Sequence, residues 1–408
     1  CMRKPHDLNR RDFLKLMGIS AATGGLPQSI FPQISPLAFA GDHPLSNKIL
    51  VVLELSGGND GLNTLVPYGN DAYYKNRPTL GIKPNKLRKI DDHFGFNPDM
   101  SGMEKLYKDG NMAVFHGCGY DQPSYSHFTS MAYWQTAAPN SGESLGWMGK
   151  LADAMNPDID PNYLVNVDAT QSLAVVAKNH VPVVFDDPEE FGRKGLFKSR
   201  PLLDEDRIAS DTSSQAKKRL LGLAKSARQA SEKVRTACGN YKTPVDYGIA
   251  PLDLNKIAAL INANMNTRLF YTSFRRNAFD THVQQPNLHQ RLLTYFSDAV
   301  SGFFTDMDRI GRADDVVMLV FSEFGRRVAE NTNQGTDHGT ANNMYLIGRA
   351  VQGGHYGDIP SLTDLHDGNM FHTTDFRRVY ATAISGWLGL KAHEQVLRHR
   401  FNQFPVFG

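Results

Sequence analysis

The stretch Lys48-Ile-Leu-Val-Val-Leu-Glu-Leu55, followed directly by Ser56-Gly-Gly-Asn-Asp-Gly61, decides the fold of this 408-residue chain. A continuous apolar run of this length is typical of a strand buried on both faces of a parallel sheet. The glycine, asparagine and aspartate residues that follow it suit a tight turn. The sequence therefore predicts an α/β protein with a polar turn at the carboxyl end of its first strand.

Apolar runs and helical periodicity continue along the chain in alternation. The predicted strands after the first cover residues 113–115, 163–167, 268–272, 316–321 and 344–347. The predicted helices cover residues 254–265, 292–307 and 376–388. Because strands alternate with helices, we expect a mostly parallel sheet with helices on both faces.

The length and composition of the chain favour one large domain after an N-terminal segment. We interpret residues 41–408 as a single α/β domain, a size within reach of one such domain with insertions. Residues 185–250 are polar and charged, and they are expected to form a surface insertion or cap. Residues 67–100 are rich in Pro, Asn, Lys and Asp, and we expect an irregular excursion there.

The N-terminal segment, residues 1–40, has the pattern of a twin-arginine signal peptide. Arg10 and Arg11 stand in Asn-Arg-Arg-Asp-Phe-Leu-Lys, a weakly apolar stretch follows, and Ala38-Phe-Ala40 matches a cleavage site. This order predicts export to the periplasm or the extracellular space of a protein that folds before transport. An ordinary basic helix start is the alternative, and an uncleaved signal would tether the protein to a membrane.

The charge and the cysteines narrow the class of ligand. The net charge is +2, and because residues 1–40 carry +3, the rest carries about −1, which argues against a nucleic-acid or anionic-membrane partner. Cys118 and Cys238 can form one disulfide or stay free. The chain has no CxxC pattern, so any metal would have to use His, Asp and Glu.

Acids and histidines collect next to the predicted strands. In an open α/β sheet ligands bind beyond the carboxyl ends of the strands, and carboxylates and imidazoles together can hold a dication there. The residues that stand beside predicted strands are Asp60, Ser124, Ser126, His127, Asp280, His282, Glu323, Asp337 and His338.

Each of these residues also has an ordinary alternative role. Asp60 can belong to a turn, His127 can sit in the first turn of its helix, and Glu323 can pair with Arg326 or Arg327. The set indicates a site more strongly than its members do, because unrelated turns have no reason to bring acids and histidines to so many strand ends.

Seven motifs, in order along nearly the whole chain, resemble the exported bacterial proteins known as the domain of unknown function 1501 family. They are the N-terminal signal, Leu55-Ser-Gly-Gly-Asn-Asp-Gly-Leu-Asn-Thr64, Ser126-His-Phe128, Phe279-Asp-Thr-His282, Ser322-Glu-Phe-Gly-Arg326, Thr336-Asp-His-Gly339 and Thr374-Asp-Phe-Arg377. That family resembles a branch of the alkaline phosphatase-like superfamily, which includes sulfatases and phosphodiesterases. The resemblance implies an alkaline phosphatase-like fold.

The resemblance also implies roles for the candidate residues. Ser126 matches the nucleophile, and His127 is expected to orient the substrate or donate a proton. The implied metal ligands are Asp60, Asp280, His282, Glu323 and His338, with Asp337 as an additional candidate. The implied cofactor is a divalent metal, zinc first, with manganese, calcium and magnesium as alternatives.

Two departures from the superfamily pattern limit this picture. Phe324 occupies the place of a usual histidine ligand, which argues against a full two-metal site. The signature Cys-x-Pro-Ser-Arg is absent, since Pro123-Ser124-Tyr125 has neither the cysteine nor the arginine, so a formylglycine sulfatase is not expected.

Two functions from different classes follow. The first is a metal-dependent hydrolase of phosphate or sulfate esters that uses Ser126, with Ser124 in reserve, on a small anionic substrate. The second is a non-catalytic binding or assembly protein on the same scaffold, with one structural metal or none. The resemblance offers a second exported family of unknown function, labelled 1800, as its partner.

Overall fold

A nine-stranded sheet forms the centre of the computed structural model, which describes residues 47–158, 160, 162–189 and 229–408. The predicted signal peptide and residues 190–228 of the predicted insertion lie outside the described residues. The strands are β1 (Ile49–Leu55), β2 (Leu65–Val66), β3 (Arg88–Lys89), β4 (Gly95–Phe96), β5 (Met112–Gly119), β6 (Leu164–Val167), β7 (Val183–Phe185), β8 (Leu269–Phe274), β9 (Val316–Phe321), β10 (Asn342–Ile347), β11 (Gly354–Tyr356), β12 (Leu365–His366), β13 (Asn369–Met370) and β14 (Thr374–Asp375).

Helices connect most of these strands. The α-helices are α1 (Gly61–Thr64), α2 (Asp71–Asn76), α3 (Ser101–Lys108), α4 (His127–Thr136), α5 (Trp147–Met155), α6 (Leu254–Asn262), α7 (Gln285–Arg309), α8 (Phe376–Ala381) and α9 (Glu394–Leu397). Short 3-10 turns lie at Leu173–Val175 and Ala313–Asp315, a π-helical segment at Thr382–Trp387 continues α8, and residues 229–240 are also helical. Among the described residues, no helix is both long enough and apolar enough to span a bilayer.

The order of the strands across the sheet is β11-β5-β10-β9-β1-β8-β6-β7, and β14 also pairs with β5. Strand β1 lies between β8 and β9 and pairs with both in parallel. Strand β10 pairs antiparallel with β5 and with β9. The other pairs in this sheet are parallel, which confirms the predicted mostly parallel sheet.

Helices cover both faces of the sheet, as predicted. All seven residues of β1 are buried, with Val51 and Leu53 in one apolar cluster and Leu50 and Val52 in another. Side chains alternate between the faces of a strand, so the two clusters lie on opposite sides of the sheet. The first cluster includes residues of α3, α6 and α7, and the second includes residues of α4, α5 and α8.

Several predicted boundaries differ from the observed ones. Helix α7 begins at Gln285 rather than at residue 292, because a proline in its first turn is compatible with a helix start. Strand β5 extends beyond the predicted 113–115 to Gly119, through His116, whose buried ring contacts His355. Residues 67–100, predicted to be irregular, include α2 and supply β3 and β4 to a small sheet with β2. Cys118 and Cys238 are both free.

Candidate metal centre

Loops from distant parts of the chain meet beyond one end of the central strands. The turn after β1, the loop after β8 and the segment after β9 all follow strands that run in the same direction. The Arg326–His338 backbone bridge joins the segment after β9 to the one before β10. Parallel strands place their carboxyl ends at the same edge of the sheet, so the polar turns that follow these strands come together there.

Asp280 lies at the middle of this meeting point. Its Oδ1 is 2.9 Å from Nε2 of His282 and 3.1 Å from Nε2 of His338, and its Oδ2 is 3.3 Å from Nε2 of His127. Donor atoms of His127, Asp280 and His338 all lie within 4.8 Å of one another. The Nε2 atoms of His282 and His338 are 3.0 Å apart.

The opposite nitrogen of each imidazole contacts an oxygen acceptor. Nδ1 of His127 is 2.7 Å from Oε1 of Glu323, and Nδ1 of His338 is 2.7 Å from the carbonyl of Tyr125. Nδ1 of His282 is 3.3 Å from Oδ1 of Asp337. An acceptor at Nδ1 fixes the tautomer that leaves Nε2 free to bind a metal, and metal-bound histidines usually have such a partner.

Asp280 and Glu323 favour a positive charge on the group between them. Nε2 of His127 is buried and, despite its proximity to Asp280, has no hydrogen bond of acceptable geometry among the described residues. Burial alone lowers the pKa of His127, but Asp280 and Glu323 outweigh it and raise that pKa to about 9. Burial opposes ionisation of Asp280, yet His127, His338 and Arg326 together hold its pKa far below the ordinary value. Three imidazoles and a carboxylate are a donor set that suits Zn²⁺.

Glu323 lies behind His127 rather than among the converging atoms. Its buried carboxylate accepts hydrogen bonds from the Gly57 backbone N–H, at 2.9 and 3.1 Å, and from the Ser322 hydroxyl at 3.0 Å. Gly57 has a φ of 116°, and a Cβ there would lie 2.6 Å from the backbone nitrogen of Asp280. A side chain at this position would therefore push the Asp280 loop away.

Arg326 joins the loops that carry the site. Its buried guanidinium donates to the carbonyls of Gly58 at 2.5 Å, Thr336 at 2.8 Å and Phe279 at 3.1 Å, and to that of Gly57. It also donates to Oδ1 of Asp280 at 2.8 Å. The sequence pointed to Arg326 only as a partner for Glu323, whereas the structure pairs it with Asp280. Because one buried guanidinium donates to four backbone carbonyls and a carboxylate, it fixes the positions of these turns relative to one another.

The structure places Asp60 in a different environment from the one expected of a metal ligand. Its fully buried carboxylate pairs with Arg77 at 2.6 Å and accepts a hydrogen bond from Gln285 at 2.6 Å, both through Oδ2. Burial raises the pKa of Asp60, but Arg77 outweighs burial and the net shift is downward. The cation that Asp60 contacts is an arginine from the end of α2.

Ser124 and Ser126 both lie just before the start of α4. Ser126 is the N-cap residue of α4 and is exposed, and in the described structure its hydroxyl does not cap the helix. The Ser124 hydroxyl accepts a hydrogen bond from the Ser126 N–H at 3.2 Å. The residue after the cap is His127, so the free N–H groups of the first turn of α4 lie next to the candidate metal centre.

Phe324 packs against the candidate metal centre. Its buried ring lies 4.9 Å from the ring of His127 and 4.7 Å from that of His338, measured between centroids. A hydrocarbon ring offers no donor atom, so Phe324 cannot supply a metal ligand on this side of His127 and His338.

Another buried acid lies nearby. The sequence analysis missed it because it lies inside the apolar run of β1. Glu54 accepts hydrogen bonds at Oε2 from the Gln135 amide, at 2.9 Å, and from the Tyr271 hydroxyl. Burial raises the pKa of Glu54 to about 7. Glu54 and His127 line the same cavity, which has a volume of about 280 Å³.

Solved structures of other proteins resemble the chain at low sequence identity. The lipoteichoic acid synthase LtaP from Listeria monocytogenes matches 87% of this chain and 75% of its own, with 10% identity and a TM-score of 0.42. A protein in the alkaline phosphatase superfamily from Vibrio parahaemolyticus matches 87% and 72%, with 12% identity and a TM-score of 0.37. The C-terminal periplasmic domain of EcEptC from Escherichia coli, solved in complex with Zn, matches 74% and 72%, with 10% identity and a TM-score of 0.37.

No curated protein matches the chain in sequence. A family model described as "Protein of unknown function (DUF1501)" matches residues 47–401. This match covers the central sheet and each residue of the candidate metal centre. The chain therefore belongs to the DUF1501 family.

Proposed function

We propose that this protein is a metal-dependent hydrolase of phosphate or sulfate esters with a single dication, zinc first and manganese, calcium or magnesium as alternatives. The observation that supports it most is the convergence of three imidazole Nε2 atoms on Asp280, each backed at Nδ1 by an oxygen acceptor. A site of this kind is typical of a metal centre rather than of a surface ion-pair cluster.

Asp280, His127 and His338 would hold the ion, with His282 as the fourth donor. When bound, such an ion neutralises the charge of the ester oxygens. In this proposal His127 is a ligand, whereas the sequence analysis expects it to orient the substrate or donate a proton. Glu323 and Asp337, predicted as ligands, instead fix the orientation of His127 and His282.

The start of α4 would bind the anion. Its first N–H groups lack partners within the helix, and the positive end of the helix dipole favours a phosphate or sulfate there. The exposed Ser126 hydroxyl is the candidate nucleophile, and Ser124 is the reserve. Activity that survives in Ser126→Ala but not in Ser124→Ala would transfer the role to Ser124.

The proposal includes export. Residues 1–40 would serve as a twin-arginine signal, so the protein would act in the periplasm or outside the cell on a small anionic ester. A fusion of residues 1–40 to a folded reporter tests this directly: we expect export that Arg10→Lys/Arg11→Lys abolishes. Reporter that stays in the cytoplasm with the native pair would contradict it.

The second candidate is a non-catalytic binding or assembly protein, with an exported protein of the family labelled 1800 as the proposed partner. Phe324 favours it, because a hydrocarbon ring in contact with His127 and His338 excludes a second ion on that side. Arg326 favours it too, because its guanidinium already neutralises Oδ1 of Asp280.

Metal content measured by mass spectrometry, on protein purified without chelators or a His tag, tests the metal centre. We expect one equivalent of a dication in the unaltered protein and its loss in Asp280→Asn and His338→Ala. His366→Ala is the matched control, because that imidazole is 74% exposed and lies outside the centre. No stoichiometric metal after each ion is added back would favour the non-catalytic candidate.

Ester hydrolysis by the metal-loaded protein tests the catalytic part. A panel of phosphate and sulfate esters should yield turnover that disappears in Asp280→Asn and persists in His366→Ala. Full metal occupancy without turnover of any ester would indicate a structural metal and would contradict the hydrolase function.

A further inference from the structure

The cavity of about 280 Å³ beside the candidate metal centre has a lining of mixed chemistry. We call its apolar side chains Phe128, Met131 and Leu173 the apolar wall, and its polar side chains Glu54 and Gln135 the polar wall. Sites for small molecules usually have volumes of about 300–1,000 Å³ and combine apolar walls with a few placed polar groups. This cavity is close to the lower end of that range and has that composition.

One side chain of the apolar wall remains exposed to solvent in the folded protein. Phe128 is 91% exposed, although it directly follows the half-buried His127 on the first turn of α4. A large exposed aromatic ring at the mouth of a pocket is a common mark of a binding surface. A ligand in the cavity would cover the face of this ring.

The polar wall has an unused acceptor. Glu54 is 5% exposed, and both of its hydrogen bonds, from Gln135 and from Tyr271, go to Oε2. Its Oε1 has no partner within the part of the chain that the structure describes. Because Glu54 lines the cavity, a ligand hydroxyl there can donate a hydrogen bond to this free acceptor and contribute to affinity.

We propose that this cavity binds the alcohol part of the ester, and that this alcohol is a ring with an apolar face and a hydroxyl donor. This inference rests on the proposed hydrolase function. Since His127 belongs both to the metal centre and to the cavity, an anion bound at the centre has its alcohol next to the cavity. The ring would pack on Phe128, and its hydroxyl would donate to Glu54.

Two sources offer this chemistry, a phenol and a sugar, and paired esters separate them. The phenol pair is 4-hydroxyphenyl phosphate against phenyl phosphate, and the sugar pair is methyl glucoside 6-phosphate against ethyl phosphate, with the matching sulfates. Within a pair the leaving groups are of one type, so a difference in kcat/KM reports recognition. We expect at least about a tenfold preference for the hydroxylated ring in one pair.

Two variants test how the polar wall and the apolar wall contribute to substrate recognition. Glu54→Gln replaces an acceptor by a side chain that can present an N–H, so the hydroxyl preference of the phenol pair should fall to about one and that of the sugar pair should decrease. Phe128→Ala removes an exposed ring and is not expected to disturb folding, and it should raise KM for the ring esters more than for ethyl phosphate. Ile249→Ala, at an exposed apolar residue that does not line the cavity, is the matched control.

Binding of the free alcohols separates this inference from the hydrolase itself. Hydroquinone and methyl glucoside, added at millimolar concentration to the metal-loaded protein, should perturb the NMR signals of Phe128 and Met131, and less so in Glu54→Gln. Binding without any ester turnover would remove the hydrolase and leave the cavity as a ligand site. Turnover with no preference in either pair, and no perturbation by either alcohol, would overturn the inference.

Discussion

Asp60 and Asp280 are two acids that follow neighbouring parallel strands, and the fold gives them different partners. Asp60 is fully buried and pairs with a single arginine, Arg77, at 2.6 Å. Asp280 is part-exposed and lies among three imidazoles as well as Arg326. Position after a strand therefore selects candidates for a site, and the residues that other loops bring to them decide which acid lies among possible metal donors.

The largest effect should come from breaking the Asp60 pair. Arg77→Met leaves a buried carboxylate without its cation, which should lower the free energy of unfolding by about 3–5 kcal/mol. Urea denaturation of the metal-free protein measures it. Arg77→Met/Asp60→Asn should recover the part of the loss that comes from the unpaired charge. It should not recover the part that comes from the hydrogen bonds of Arg77 to Asn63 and to the Val328 carbonyl.

The same double variant tests whether Asp60, unlike Asp280, is dispensable for metal binding. Metal content measured on the folded fraction of Arg77→Met/Asp60→Asn should match that of the unaltered protein. A double variant that folds but binds no metal would return Asp60 to the list of ligands and remove the contrast with Asp280.

A smaller effect should come from the groups behind the imidazoles. Glu323→Gln weakens the acceptor at Nδ1 of His127 and should lower metal affinity by about 10–100-fold. Asp337→Asn is the matched comparison, because its carboxylate is 53% exposed and 3.3 Å from His282, so its effect should be weaker. Competition with a chromophoric chelator measures both. Equal losses in the two variants would show that burial of the acceptor does not matter.

The smallest effect should appear in the pH dependence of the metal-free protein. The pKa of His127 is raised to about 9, so its charge stabilises the fold below its unfolded pKa of about 6.5, and that contribution is lost as pH rises towards 9. Denaturation between pH 6 and 9.5 should therefore show a decline that His127→Gln flattens. A decline of the same size in His127→Gln would assign it to another group.

The affinity of the site for a metal should, in contrast, increase with pH. A metal displaces the proton from Nε2 of His127, so affinity should rise with pH up to about 9, and binding should release a proton at neutral pH. Calorimetry in two buffers of different ionisation enthalpy counts that proton. No proton release at pH 7 would exclude His127 as a ligand.

The architecture could be predicted from the sequence because strands buried on both faces need continuous apolar runs. The runs at 48–55 and 316–321 match β1 and β9 closely, and the turns after them lead to the site as expected. The order of the strands and the reversal of β10 could not be predicted, since pairing partners lie far apart in the chain and several arrangements bury the same runs.

Part of the candidate site could also be predicted from the sequence. Residue type and position gave Asp280, His282 and His338 as members of one set, and the structure brings them together. The proposed distinction between ligands and supporting acids could not be predicted, because it depends on which nitrogen of each ring faces an acceptor. Glu54 was missed because an acid inside an apolar run gives no periodic signal until Tyr271 and Gln135 are seen around it.

The reversed direction of β10 has a consequence for how the site can be modified. Its neighbours contribute the residues that come after them, whereas β10 contributes His338, which precedes it by four positions. The connection that leaves β10 after Ile347 is thus at the opposite edge of the sheet. A fluorescent label or an affinity peptide inserted in the exposed part of that connection would report on the protein without reaching the candidate metal centre, whereas the same insertion before β10 would move His338 directly.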